Sequence, residues 1–236
     1  MSARTGGPVH GLRRPQDRTD REDHSVQWKS LGVQGARVFT PTVFPDERGL
    51  FVAPFQRDPY AGAVGLPPFP LAQTAHSRSR RGVIRGVHYT AAPPGMATYV
   101  YCARGRALDM VVDVRVGSPT FGRWDSVLLD AEEFRAVYLP LGVGHAFTAL
   151  EDDTVMSYLL SGGYSAEDEK AVSVFDPALG LPVAPSPPPL LSPRDRSAPT
   201  LAEAREAGML PDYATCLELE AELCSTVPGP TSGPAR

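Results

Sequence analysis

Leu108, Met110, Val112 and Val114 interleave with Ala107, Asp109, Val111 and Asp113, and this period of two predicts a β-strand with one face buried. Gly117-Ser118-Pro119 then supplies a turn, and Arg123 to Leu129 reads as the returning strand. Short apolar runs bounded by turn residues predict further strands over Ala36–Thr40, Leu50–Phe55, Ala72–Ser77, Val83–Tyr89, Thr98–Ala103, Arg135–Leu139, His145–Leu150 and Thr154–Leu160. Many short strands at near-regular spacing predict an antiparallel barrel or jelly roll.

The ends of the chain follow other rules. Residues 1–25 mix arginine, aspartate, glycine and proline without apolar periodicity, and residues 224–236 look the same. Both read as disordered tails around a single domain over 26–223. A proline-rich stretch, 182–189, leads into a segment of different character. There Thr200 and Glu203 form a capping-box pattern and Gly208 follows as a stop signal, which predicts a helix near 201–207. A second helix is predicted near 212–223, where Tyr213, Leu217, Leu219 and Leu223 recur at roughly helical spacing. No internal repeat is evident.

Composition narrows the classes. At 236 residues and 42% hydrophobic content, the chain can bury a core, and all-β barrels of this size commonly form one domain. A net charge of −4 gives no bulk attraction to nucleic acid or membrane, so anion binding has to come from locally placed arginines. The three cysteines, Cys102, Cys216 and Cys224, have no metal-site spacing, and their odd number argues against a disulfide framework. Residues 1–25 lack the apolar core of a signal peptide, and no apolar run approaches ~20 residues. A soluble cytoplasmic protein is expected.

Candidate chemistry centres on two histidines. His88 lies in Arg85-Gly86-Val87-His88-Tyr89, and His145 closes Pro140-Leu141-Gly142-Val143-Gly144-His145. Strict alternation would turn Arg85, Val87 and Tyr89 one way and Ile84, Gly86 and His88 the other. A lone histidine on a strand is more often a core or surface residue, yet histidine is the side chain best poised for general-base work near neutral pH. The P-x-G-x-x-H turn resembles the second motif of the cupin superfamily. Metal-holding cupins usually add an H-x-H pair, whereas Gly86 stands where the other histidine would be. Two histidines fall short of the three ligands common in catalytic metal sites, so no metal is expected. Tyr158 and Tyr164 read either as packing residues or as a proton donor opposite the base. Asp195 is either a plain loop carboxylate or the group that fixes the tautomer of His88. Arg48 beside Gly49 either ends a hairpin or grips a diphosphate with its planar fork. Arg78, Arg80 and Arg81 read as a solvated face.

These residues resemble, in order, the dTDP-4-dehydrorhamnose 3,5-epimerases, including the dTDP-4-keto-6-deoxyhexose 3-epimerases of actinomycete antibiotic-sugar pathways. The likeness runs from about Gly35 to Ala214. It is carried by Asp-Glu-Arg-Gly-Leu-Phe at 46–51, Gly-Val-Ile-Arg-Gly-Val-His-Tyr at 82–89 and Val-Asp-Val-Arg-Val-Gly-Ser-Pro-Thr-Phe-Gly-Arg-Trp at 112–124. The His145 turn, Asp176-Pro177 and Leu-Ser-Pro-Arg-Asp-Arg-Ser-Ala-Pro at 191–199 continue it. The resemblance implies an all-β, cupin-type jelly-roll barrel with short C-terminal helices, a homodimer and a cofactor-independent epimerase acting on a nucleotide-sugar. It implies His88 as base, oriented by Asp195, and Tyr158 as acid. Arg48, Gln73, Arg85, Tyr164 and Arg194 would sit near the nucleotide-sugar, Phe51 beside the thymine or sugar, and His145 in the pocket wall.

The chain also departs from the family, which usually has a lysine where Thr98 stands, an asparagine at Ala75 and a glutamate at Ala53. A ketone at C4 acidifies the hydrogens at C3 and C5 because the resulting anion delocalises onto oxygen, and that oxygen needs a donor. Loss of one preorganised oxyanion donor costs roughly 3–4 kcal/mol, about 10²–10³ in rate. Arg85 or His145 could share the load at Thr98. Two expectations follow: an epimerase with altered activity at C3, C5 or both, or a sugar-nucleotide-binding relative without turnover.

Overall fold

The structure, a computed structural model, describes residues 26–183 and 188–225. The tail expected over 1–25, most of that expected over 224–236, and residues 184–187 of the proline-rich bridge lie outside the described residues. Among the described residues thirteen strands carry the fold: β1 (Gln27–Ser30), β2 (Arg37–Thr40), β3 (Val43–Asp46), β4 (Gly49–Val52), β5 (Gln73–Ser79), β6 (Ile84–Thr90), β7 (Thr98–Arg104), β8 (Arg106–Val112), β9 (Trp124–Asp130), β10 (Ala136–Leu139), β11 (Gly144–Ala149), β12 (Thr154–Leu160) and β13 (Glu169–Ala171). Four helices, α1 (Arg57–Val64), α2 (Pro193–Arg196), α3 (Leu201–Glu206) and α4 (Tyr213–Ser225), lie outside the sheets.

The six-stranded sheet runs β1-β2-β10-β7-β12-β5 and the five-stranded sheet β13-β6-β11-β8-β9, with β3-β4 as a separate hairpin. Every pairing within the two large sheets is antiparallel, and the crossovers between them make a jelly roll. The inner faces meet in one apolar core. Val38, Val100, Val137 and Met156 come from the first sheet, and Ala107, Val111, Leu129 and Phe147 from the second.

Both outer faces are covered, which the alternation at 107–114 did not foretell. Met110 and Val112 are as fully buried as Ala107 and Val111, because the returning chain lays Val172, Val174, Leu179, Leu201 and Ala204 over the outside of the five-stranded sheet. Full burial of one such aliphatic side chain is worth about 1.5–3 kcal/mol, so this cover is a second core. The six-stranded sheet is covered by α1 and α4, which pack Tyr60, Ala63, Cys216 and Cys224 on Phe39, Tyr99 and Tyr138. All three cysteines are buried free thiols.

Helix α3 forms where its capping box predicts. The Thr200 hydroxyl accepts from the Glu203 N–H at 3.2 Å, and the Glu203 carboxylate accepts from the Thr200 N–H at 2.8 Å. Helix α4 continues to Ser225, two residues into the expected tail, because Cys224 is anchored on the sheet. Helices α1 and α2 were not anticipated. The Val-Asp-Val-Arg-Val-Gly-Ser-Pro-Thr motif proves architectural. Buried Asp113 accepts from Arg115 Nε and Nη2, both at 2.9 Å, and from the Ser118 hydroxyl at 2.6 Å, and so pins the turn after β8.

Candidate active site

One correction to the strand pattern creates the site. On β11, His145 stands opposite His88 and Phe147 opposite Arg85, so Gly86 and Val87 share the single partner Ala146. This extra residue is a β-bulge, and it places Arg85 and His88 at the same cavity, where uninterrupted alternation would separate them. Val87 turns outward into the second core. Gly86 is required at the bulge: its φ is +108°, and a Cβ there would lie 2.3 Å from the His145 carbonyl oxygen.

The cavity has a volume of about 350 Å³ and opens between the sheets. Arg85, His88 and His145 line it from the five-stranded sheet, and Thr98 and Tyr158 face them from the six-stranded sheet. Tyr164 lies at its rim, 62% exposed. Of the three positions that depart from the family, Ala75 and Thr98 line the cavity and Ala53 does not.

His88 is fixed by α2. Ser192 caps that helix by accepting from the Asp195 N–H at 3.1 Å, and Pro193 begins it. The turn buries Asp195, whose Oδ1 lies 2.6 Å from His88 Nε2. Arg194 Nη2 is also 2.9 Å from that nitrogen. One ring nitrogen cannot both donate to a carboxylate and accept from a guanidinium. The shorter, charge-assisted contact governs: Nε2–H donates to Asp195, and Nδ1 keeps its lone pair. Arg194 then serves as a cation beside Asp195 and Glu169, at 3.9 and 3.8 Å. Burial by itself raises the Asp195 carboxyl, but the hydrogen bond and charge of His88, with Ser192 and Arg194, outweigh it and hold the carboxyl below its ordinary value.

Two acids that sequence reasoning missed complete the electrostatics. Asp109, on a strand whose alternation named no inner face, is fully buried and points inward, with Oδ2 2.6 Å from His145 Nε2. The only sequence signal was an aspartate within an otherwise apolar strand. Glu169 on β13 approaches His88 Nδ1 at 3.8 Å; burial raises its carboxyl, against the charges of His88 and Arg194. Tyr158 is pushed up to about 12 by burial, partly offset by a hydrogen bond with Ser77. Its ring stands edge-on to that of His145, with centroids 6.3 Å apart.

Four expected substrate contacts do not line this cavity; one, Arg194, borders a neighbouring cavity with Asp195. Gln73 is outside the lining, and its Oε1 accepts from the Tyr164 N–H at 3.1 Å. Arg48 and Phe51 lie on the β3-β4 hairpin, where Arg48 pairs with Asp46 and its side chain is 85% exposed. Neither borders the cavity of its own chain, because the hairpin is a separate two-stranded unit.

A sequence model of the dTDP-4-dehydrorhamnose 3,5-epimerases matches residues 30–203. The chain belongs to that family. It is 47% identical over 208 residues to a dTDP-4-dehydrorhamnose 3-epimerase of Streptomyces niveus, covering 88% of this chain and 97% of that one. It is 48% identical to a dTDP-4-dehydro-6-deoxyglucose 3-epimerase of Streptomyces bikiniensis, over 78% of this chain and 93% of the relative. Among solved structures, a 4-keto-6-deoxy sugar epimerase from the novobiocin biosynthetic gene cluster of Streptomyces spheroides superimposes with a TM-score of 0.78 at 47% identity, covering 81% and 96% of the two chains. A 3′-monoepimerase of Streptomyces bikiniensis in complex with dTDP-quinovose gives a TM-score of 0.77 at 45% identity, covering 82% and 97%. The cupin-type jelly roll of this family is therefore the fold of this chain. Among the described residues, no helix is long and apolar enough to cross a membrane.

Proposed function

We propose that the protein epimerises a dTDP-4-keto-6-deoxyhexose in deoxysugar biosynthesis, inverting C3, the carbon named for the relatives at 47–48% identity. One observation carries the reading: His88 and Tyr158 come from opposing sheets and border the same cavity. Inversion needs a base on one face of a carbon and an acid on the other, and a hexose held between two sheets meets both.

His88 takes the C3 hydrogen as a proton. The C–H electron pair moves toward the C4 carbonyl and leaves charge on its oxygen. Asp195 stabilises the imidazolium that forms and keeps the ring in one orientation. Arg85 is the permanent cation on the cavity wall, with Thr98 and His145 as further donors to the enolate oxygen. Tyr158 then delivers its hydroxyl proton to the opposite face of C3, the carbonyl is restored, and exchange with water resets both residues. The reaction is redox-neutral and draws on side chains alone.

The exposed hairpin completes the reading. Leu50 and Phe51 on it are apolar and 49–68% exposed, the kind of apolar surface that marks an interaction site. The protein acts as a homodimer in which this hairpin brings Arg48 to the diphosphate and Phe51 to the thymine of the second copy's substrate. A nucleotide diphosphate does not diffuse across membranes, which supports a cytoplasmic reaction, and a net charge of −4 gives nucleic acid no attraction. The test is incubation with dTDP-4-keto-6-deoxyglucose in heavy water, with deuterium followed by mass spectrometry. Uptake at C3 alone is expected. Uptake at C5 as well would make it a double epimerase, and none above the blank would leave only binding.

A further inference from the structure

We propose that Ser77 is the positioning residue of the catalytic acid: its hydroxyl holds the Tyr158 hydroxyl toward the cavity and stabilises the phenolate left when Tyr158 gives up its proton. The inference rests on the reading of Tyr158 as that acid.

Strand β5 is the edge of the six-stranded sheet. Its residues Gln73, Ala75, Ser77 and Ser79 are half-buried or buried, while Thr74, His76 and Arg78 between them are exposed. Three of the four inward side chains hold a group at the cavity. Gln73 accepts from the Tyr164 N–H at 3.1 Å, Ser79 accepts from Arg85 Nε at 3.2 Å, and the Ser77 hydroxyl lies 3.4 Å from that of Tyr158. The residue directly opposite Tyr158 is Ala75, and Ser77 faces Met156. Tyr158 therefore reaches a diagonal neighbour across the strand pair, a distance an aromatic side chain spans, over the gap that the small Ala75 leaves. Among the described residues, Ser77 is the hydrogen-bond partner of the Tyr158 hydroxyl.

The chemistry gives this contact a purpose. When Tyr158 protonates C3, its O–H bond breaks, a C–H bond forms, and the electron pair remains on the phenolic oxygen. Burial opposes that charge and Ser77 relieves it. A serine hydroxyl can accept from the neutral phenol and rotate to donate to the phenolate, so one residue serves both states.

Ser77→Ala should weaken the acid and leave the base intact. In heavy water His88 still removes the C3 proton, and its exchange with solvent returns deuterium to the same face. Inversion should fall about fivefold to tenfold, the deuterium content of recovered, uninverted substrate should rise relative to product, and KM should stay within about twofold. Ser77→Thr should restore the wild-type partition, and Ser77→Cys, with its weak donor, should fall between. Inversion and exchange declining in parallel, or a partition equal to wild type, overturns the proposal. Tyr158→Phe is the reference, expected to lose inversion and retain exchange. A wild-type partition in that variant sinks the assignment of Tyr158 itself; a changed one there with none in Ser77→Ala sinks only the role of Ser77.

Discussion

Asp195→Asn tests the proposed base most directly. The carboxylate is 3% exposed and lies 2.6 Å from His88 Nε2, so water cannot replace it. An asparagine of the same shape can still accept the Nε2–H with its amide oxygen, and Ser192 still caps α2 through the backbone. What disappears is the negative charge beside the imidazolium that forms during proton removal. Hydrogen bonds to charged groups contribute about 1.5–3 kcal/mol, of which a neutral acceptor recovers part. A loss of roughly 1–2 kcal/mol in the transition state corresponds to about 5- to 30-fold in kcat. The assay is C3 deuterium uptake measured at saturating dTDP-4-keto-6-deoxyglucose, with a thermal melt to show that the fold survives. Because the folded carboxyl is held low, the stability Asp195 contributes is present above the unfolded value near ~3.9 and is lost only as pH falls through the lower folded value. The defect should therefore persist unchanged from about pH 6 to 9. Uptake within about threefold of wild type would refute the argument that this charge, rather than ring packing, activates His88.

Gly86→Ala should destabilise the fold by at least about 1–3 kcal/mol and abolish turnover, since a non-glycine residue at positive φ is strained and its Cβ would lie 2.3 Å from a carbonyl oxygen; urea melts with a C3-exchange assay check both. Thr98→Lys should raise the exchange rate by placing an ammonium at the enolate oxygen, and an unchanged or lower rate would show that Arg85 and His145 already suffice. Glu220, 7% exposed on α4 and accepting from the Tyr138 hydroxyl, has its carboxyl raised by burial, against Tyr138 and the charge of Arg115. A raised folded value means that stability is full below the unfolded value near ~4.3 and declines as pH rises. Glu220→Gln should thus melt higher than wild type at pH 8 and lose that advantage by about pH 4; equal melting temperatures at both would show that burial does not raise this carboxyl.

Much of this was legible along the chain because it is local. Alternation at two residues placed β5 to β12 within a residue or two, and Thr200 with Glu203 placed α3, since each signal is complete within one segment. The proposed base, orienting acid and opposing tyrosine were legible only through their motifs, because Asp195 and His88 stand 107 positions apart and no period links them. Three features needed the folded chain. The bulge that aims Arg85 with His88 is a mismatch between two strands, and a mismatch does not exist until they pair. The place of Asp109 was not legible because alternation distinguishes two faces without saying which is inside; the chain returning over Met110 and Val112 sent the other face, and the carboxylate with it, into the barrel beside His145. The hairpin of Arg48 and Phe51 lies away from the cavity of its own chain, and a turn motif does not specify which surface it meets. Local chemistry chose the elements and named the candidate groups, whereas pairing across distant segments decided where those groups point, since side-chain direction depends on register and cover that only the assembled sheets define.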